Sequence, residues 1–372
     1  MWNKYSLFCF LLCLSVYGMY AQLTIVVTNN APASGDIYIA GPFNDWQPGA
    51  PGYKMQPSGA ATYSHTFDSL PGSDILFKFT RGSWEQVEVS ADGSAIADRM
   101  FYWGPGDTIF CVIESWADLH EAPALNPAIE KHVLTVPYLQ GERTLRVYVP
   151  PGYATDTVRY PVIYMMDGQN LFDAATSYAG EWGVDELMDA RAAQGLPVAI
   201  VVGIDHAGDM RLMEYSPWAH PEYGGGLGAV FANWWADSIK PFIDKTYRTL
   251  PDRSHTFIAG SSMGGLMSSF MVAEHNDLLG GAAVISASYW FSSKSFDHIT
   301  EHPITRPTRV YFLIGGQEGT ETTFDMLTAY DLMNEVKASG KDLRLVVEGL
   351  GTHNEQFWKT ELPLIVAWWL LE

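Results

Sequence analysis

The sequence predicts two domains of different class: an all-β sandwich, then an α/β domain with a mostly parallel sheet and helices on both faces. Three observations predict this. From Leu23 to Trp116, short apolar runs are separated by clusters of Gly, Pro, Asn and Asp, with no long 3.6-residue period. After Ile129, near-continuous apolar runs alternate with helical patterns. Between them, Asp118 to Pro127 is polar, holds two prolines and has no period, so residues 118–128 read as a linker. With 372 residues, 47% hydrophobic and 17% charged, the chain can bury a core in each part.

Residues 1–21 read as a secretory signal peptide. Lys4 is followed by an apolar run from Leu7 to Val16, and Ala21 offers a small residue before a cut. The run is short for ~30 Å of hydrocarbon, and no other segment is long and apolar enough to span a bilayer. The expectation is a secreted or periplasmic bacterial protein with no membrane attachment after signal cleavage. Cys9 and Cys13 fall inside the signal, so the mature chain keeps Cys111 alone and forms no internal disulfide. Lys plus Arg is 22 and Asp plus Glu is 42, a formal charge of -20. That excludes a nucleic-acid partner, which needs a basic face, and docking on anionic lipid.

In residues 22–117 the candidate strands are Leu23–Val27, Ile37–Ala40, Tyr63–Phe67, Ile75–Phe79 and Ile109–Ile113. They suggest a small antiparallel sandwich of the immunoglobulin-like kind. Two of them run into turns that end on tryptophan: Gly41-Pro42-Phe43-Asn44-Asp45-Trp46, and Phe77-Lys78-Phe79 followed by Trp84. These segments resemble the starch- and glycogen-binding type of carbohydrate-binding module, with its G-x-F-N-x-W and Y-K-F…W signatures. The resemblance implies a sugar platform of Trp46, Lys78 and Trp84. An indole can stack on a pyranose and an ammonium can donate to hydroxyls. The turn Gly104-Pro105-Gly106-Asp107 departs from the family, which often has an Asn there. The plainer alternative is that the two tryptophans pack against a neighbouring domain.

In residues 129–372 the candidate strands are Leu145–Val149, Val162–Met166, Val198–Ile204, Phe257–Ala259, Ala283–Ser286, Val310–Ile314 and Leu343–Val347. Phe231, Trp234, Trp235, Ile239, Phe242 and Ile243 recur at helical spacing. The strand ending at Ala259 runs into Gly260-Ser261-Ser262-Met263-Gly264-Gly265, a G-x-S-x-G motif. Its glycines let a strand turn sharply into a helix with Ser262 exposed at the apex. The helix N-terminus then offers free N–H groups to a developing oxyanion. A serine nucleophile needs a base and an orienting acid, here expected later in the chain. His275, His298, His302 and His353 follow Ser262. His275 sits in the next helix, and His298 and His302 read as loop residues. His353 lies in a glycine-rich loop after the last strand and is the expected base. Glu318 is the first carboxylate after the strand ending at Ile314, with Glu321 and Asp325 as alternatives. The backbone N–H groups of Met263 and Gln169 are the expected oxyanion donors.

Six segments together resemble the branch of α/β-hydrolases that includes esterase D, ferric enterobactin esterases and feruloyl or acetylxylan esterases. They are Val149-Pro150-Pro151-Gly152-Tyr153, Asp167-Gly168-Gln169-Asn170-Leu171-Phe172, Arg211-Leu212-Met213-Glu214-Tyr215, Gly260 to Gly265, Ile285-Ser286-Ala287-Ser288-Tyr289-Trp290, and Gly351-Thr352-His353-Asn354-Glu355-Gln356-Phe357-Trp358. The resemblance spans about residues 130–372. It implies Ser262 as nucleophile, His353 as base and Glu318 as acid, where relatives often have Asp. It sets Arg211 and Glu214 as a pair beside the cleft, for which a structural ion pair is the plainer reading. Trp290, Trp182 and Trp358 could wall an acyl or aryl pocket, with core packing the default for each.

The expected activity is a secreted serine carboxylic-ester hydrolase working through an acyl-enzyme, with no metal and no cofactor. Its expected partner is an ester-substituted plant polysaccharide of the feruloyl or acetylxylan type, or a small ester. One alternative is a siderophore esterase opening an enterobactin-type trilactone. Such a chelate is strongly anionic, which the acidic balance modestly disfavours. An alternative of another class is a carbohydrate-binding protein with an inert hydrolase domain.

Overall fold

The computed structural model describes residues 22–31, 35–44, 46–68, 74–91, 93, 96, 98–104, 106–120, 126, 129–174, 176–177, 180–335 and 341–371. The signal-peptide expectation for residues 1–21 lies outside the described residues, as do linker residues 121–125, 127 and 128. The chain divides into two compact units with a boundary between His120 and Glu121. Asp118 therefore belongs to the first unit, where Arg81 and Gln86 hold its carboxylate.

In the first unit, Leu23–Asn29 alternates buried and half-buried residues, turning Leu23, Ile25 and Val27 inward. It pairs antiparallel with Thr62–Phe67, which carries Gln56–Gly59 at its outer edge. A second sheet joins Tyr38–Ala40, Asp74–Thr80 and Arg99–Tyr102. Ile39, Phe77 and Phe79 share one core with Leu23, Ile25, Val27, Ile113 and Trp116, so the unit is two β-layers over a common interior. The expectation of a wholly antiparallel arrangement is corrected at one pairing. Leu23–Asn29 runs parallel to Thr108–Ile113. A parallel pair needs a long crossover, and here the connecting chain between these strands supplies it. Cys111 is free and buried in this core, and burial pushes its thiol up to about 11.

One buried ion pair sits against the second sheet. Glu88 has a fully buried side chain, and Arg99 Nη2 donates to it at 2.7 Å. Glu88 also accepts the Phe79 N–H at 2.8 Å. Burial raises the Glu88 carboxyl, against the pull of Arg99.

The second unit is an eight-stranded mixed sheet. Its strands are β1 (Ile129–Val136), β2 (Gly141–Tyr148), β3 (Val162–Met166), β4 (Ile200–Ile204), β5 (Thr256–Ser261), β6 (Gly281–Ile285), β7 (Thr308–Gly315) and β8 (Lys341–Glu348). The spatial order is β1-β2-β4-β3-β5-β6-β7-β8. β2 is antiparallel to both neighbours, and β4 through β8 with β3 are parallel. Every residue of β3, β4 and β6 is buried, as strands covered on both faces must be. Successive residues serve opposite cores: Tyr164 and Val202 join one, Ile163 and Val201 the other.

The longer helices among the described residues are α1 (Val184–Ala193), α2 (Gly228–Trp234), α3 (Lys240–Thr246), α4 (Met263–Glu274), α5 (Lys294–Glu301), α6 (Thr320–Glu335) and α7 (Glu355–Leu371). A π-helical turn at Trp235–Ile239 joins α2 to α3. The loop expectation for His298 and His302 is corrected: His298 lies on α5 and His302 caps it. Ser295, His298 and Ile299 form the buried face of that helix, and Pro303 follows its end. His298 Nε2 pairs with Glu274 at 3.2 Å between the rings of Trp218 and Phe270.

The Arg99→Ala change removes the cation and leaves Glu88 buried alone. We expect a loss of about 3–5 kcal/mol in unfolding free energy, with part recovered in Arg99→Ala/Glu88→Gln. Urea unfolding of the full chain checks it, and a wild-type midpoint for Arg99→Ala would refute it.

Candidate active site

β5 ends at Ser261 and α4 begins at Met263, so Ser262 alone makes the turn. It does so at φ 57 and ψ -123, a conformation rarely held by a residue with a side chain. The turn closes because Gly260 has no side chain: a Cβ there would sit 2.4 Å from the Gly264 carbonyl oxygen. Ser262 N–H donates to Ile285 at 3.0 Å, and the Ser262 carbonyl accepts from Ser288 at 3.1 Å and Leu266 at 3.1 Å. The elbow is thereby pinned to the loop after β6.

Glu318 follows β7, and its side chain is 1% exposed. Its Oε1 accepts from Ser286 Oγ at 2.6 Å and from Gly315 N–H at 2.8 Å. Its Oε2 meets His353 Nδ1 at 2.7 Å. Ser286 Oγ in turn accepts from Trp358 Nε1 at 2.9 Å. His353 is 42% exposed and stands edge-on to the Trp358 ring at 5.1 Å. The loops of acid and imidazole meet closely: a Cβ on Gly315 would lie 2.3 Å from the Gly351 carbonyl oxygen. Ser262 Oγ lies 3.2 Å from Ser288 Oγ, and no hydrogen bond joins Ser262 to His353 among the described residues.

An imidazole held at Nδ1 by a buried carboxylate keeps Nε2 available as a proton acceptor. Ser286 and Ser288 were not singled out from sequence as site residues. The signal for Ser286 was weak, a serine at the end of a strand, where its φ is 45. Glu321 and Asp325 lie beyond Glu318 on the first turns of α6 and line a separate cavity of about 400 Å³ with Trp290 and Phe324. Burial, then Glu321, raises the Asp325 carboxyl.

Met263 opens α4 and Gln169 lies in the single 3-10 turn Gly168–Asn170. The Met263 N–H is a first-turn donor with no i-4 carbonyl to bind, as an oxyanion cradle requires. Gln169 Oε1 accepts the His206 N–H at 3.2 Å. Burial lowers the His206 imidazole, with Asp167 opposing.

Arg211 and Glu214 do not pair with one another. Arg211 grips Asp167 through Nε at 2.7 Å and Nη2 at 2.9 Å. Glu214, fully buried, takes Arg143 at 2.7 Å and Tyr138 Oη at 2.6 Å. Their one-turn helix, Arg211–Glu214, sends the two side chains to different partners. The pocket-wall expectation is corrected for two of three tryptophans. Trp182 and Trp358 are each 4% exposed and pack together at 5.7 Å in the core. Trp290 is 55% exposed beside the rings of Tyr223 and His220. The platform expectation is corrected at Lys78, which is 6% exposed and pairs with Asp98 at 3.4 Å. Trp46 and Trp84 do come together, ring centroids 6.4 Å apart.

A cavity of about 910 Å³ opens at the opposite ends of the strands, among Pro161, Val198, Gly280 and Thr308 ahead of β3, β4, β6 and β7. Ligands of open α/β sheets bind at the carboxyl ends of the strands, where Ser262, Glu318 and His353 stand.

This sheet order with a serine elbow after β5 defines an α/β-hydrolase. The chain belongs to the family described as "Putative esterase", which matches residues 137–369, and is a carboxylic ester hydrolase. The uncharacterized protein YbbA of Bacillus subtilis (strain 168) is 30% identical over 189 residues, 49% of this chain and 71% of that protein. An endo-1,4-beta-xylanase/feruloyl esterase of Xylanibacter ruminicola is 24% identical over 161 residues, 42% of this chain and 21% of that protein. An alpha-amylase of Niallia circulans is 32% identical over 95 residues, 25% of this chain and 7% of that protein. The chain thus spans only a small part of the last two. Among solved structures, the enterobactin esterase FES from Shigella flexneri has a TM-score of 0.58 at 17% identity, covering 90% of this chain and 87% of its own. A ferulic acid esterase has a TM-score of 0.53 at 19% identity, covering 65% and 97%. At such identities these likenesses speak to the fold.

The Ser286→Ala change removes a donor to Glu318 and the acceptor of Trp358. We expect kcat/KM on p-nitrophenyl acetate to fall about tenfold, the equivalent of a lost charge-assisted hydrogen bond. Glu321→Gln and Asp325→Asn should leave it near wild type. Steady-state kinetics of the three variants check this, and a larger loss at Glu321 or Asp325 would move the acid.

Proposed function

We propose that the protein is a secreted serine esterase in which Ser262 attacks the ester carbonyl. His353 takes its proton through Nε2, and Glu318 orients the ring and stabilises the imidazolium. Met263 and Gln169 N–H groups receive the oxyanion, and water then resolves the acyl-enzyme. The observation that carries this reading is the 2.7 Å bond from His353 Nδ1 to a buried Glu318, on loops beside a strained serine elbow. The serine–imidazole bond forms when substrate fills the site, as catalytic contacts are often long in the free enzyme.

The substrate we infer is an ester-decorated plant polysaccharide of the feruloyl or acetylxylan kind. Two features support it. Trp290 and Phe324, 55% and 67% exposed, line one cavity with Glu321 and Asp325. Rings with carboxylates can stack on a sugar and accept from its hydroxyls, and they repel an anionic chelate. A relative also carries feruloyl esterase in its name. We further infer that the first unit is an immunoglobulin-like carbohydrate-binding module whose platform is Trp46 and Trp84, without Lys78. Export through residues 1–21 completes this reading.

A second reading is siderophore trilactone hydrolysis, since an enterobactin esterase shares this fold over 90% of this chain.

Ser262→Ala should lower hydrolysis of p-nitrophenyl acetate at least ~10³-fold. Activity surviving that change would sink the nucleophile. Methyl ferulate and acetylated xylan should be turned over far faster than enterobactin, and the reverse order selects the siderophore reading. Binding to insoluble xylan should weaken in Trp46→Ala/Trp84→Ala, and unchanged retention removes the platform.

A further inference from the structure

A second cluster of ionisable groups lies outside the hydrolytic machinery. Glu181 precedes α1, and Asp185 and Glu186 sit in its first turn. Each offers one carboxylate oxygen, and the three atoms lie within 4.8 Å of one another. Two oxygens bound to one Ca²⁺ at ~2.4 Å can be no more than ~4.8 Å apart, and each pair of the three meets that limit. At the ~2.1 Å bonds of Mg²⁺ the limit is ~4.2 Å, a tighter demand.

The hydrogen bonding points to a ligand independently. Asp185 is 3% exposed. Its Oδ2 is satisfied by Asn126 Nδ2 at 3.0 Å. Its Oδ1 is buried and has no hydrogen-bond partner among the described residues. Asp185 thus carries a buried oxygen without a hydrogen-bond donor inside a cluster of three carboxylates. A buried carboxylate oxygen facing other carboxylates is costly unless a proton or a cation stands between them. Burial and the charge of Glu186 push Glu181 up to about 7. Burial also raises Asp185, with Asn126 opposing and Glu186 adding to the rise. Lys359 of α7 favours the Glu181 carboxylate, while Asp173 adds negative field. One ammonium set against this many carboxylates leaves an excess of negative charge.

We propose that Glu181, Asp185 and Glu186 form a calcium site that fixes the segment leading into α1. That segment carries Trp182, whose ring packs on Trp358, the residue that donates to Ser286 behind Glu318. The ion thus braces the wall behind the acid without touching substrate.

The test uses the full chain, stripped with EDTA and desalted, then titrated with CaCl₂ by calorimetry and by thermal unfolding. Wild type should bind one Ca²⁺ per chain, with a Tm that climbs as calcium is added. Glu181→Gln/Glu186→Gln should bind at least ~10-fold more weakly, since affinity follows ligand charge. Without calcium it should melt no lower than wild type, because the change relieves repulsion. Absence of saturable binding by wild type at millimolar calcium overturns the proposal and leaves a shared proton as the neutraliser. Equal affinity in the double variant, or equal affinity for Mg²⁺, overturns it too. None of these readouts involves ester hydrolysis, so they stand apart from the assignment of Ser262.

Discussion

The carboxylate of Glu318 is the constraint around which the site is arranged. A group that is 1% exposed must have its oxygens satisfied locally, and two donors on Oε1 with one on Oε2 do so. Each donor comes from a different stretch: the end of β7, the loop after β6 and the loop after β8. Satisfying one buried charge therefore draws three strand ends together. Gly315 and Gly351 have no side chains because those loops touch backbone to backbone. Trp358 anchors Ser286 from behind, so the hydrogen-bond chain ends in the hydrophobic core.

The elbow stores strain at Ser262, and the surrounding contacts hold it there. A residue at φ 57 persists because its N–H and carbonyl are both bonded into the β6 loop and α4. The same loop carries Ser286 and Ser288. Nucleophile and acid are thus referenced to one segment, which keeps their spacing independent of the more exposed His353 loop.

Much of this arrangement was legible in the sequence, because it depends on local chemistry. The elbow, the apolar strands and the strand-end positions of Glu318 and His353 follow from glycine placement and hydrophobic period. What was hidden depends on partners distant in the chain. β1 is an outer strand buried only at its two ends, Ile129 and Val136, so its apolar signal is diluted. Arg211 and Glu214 are three residues apart, yet each is claimed by a residue from another strand or turn. Trp182 and Trp290 are the same residue type with opposite exposure, which only packing decides. Lys78 reads as a surface cation on a strand, but Asp98 lets it sit in the interior.

The parallel pairing in the first unit also governs the order in which the chain is built. Thr24 is in register with Thr108, and Val27 with Cys111. Leu23–Asn29 therefore has one edge whose partner, by the register, is synthesised ~80 residues later. Until then its sheet partner among the described residues is Thr62–Phe67. Closure of the first unit is a late, long-range event with a correspondingly slow step. A nascent chain halted before Thr108 would leave the backbone groups along that edge of Leu23–Asn29 unpaired and open to another strand.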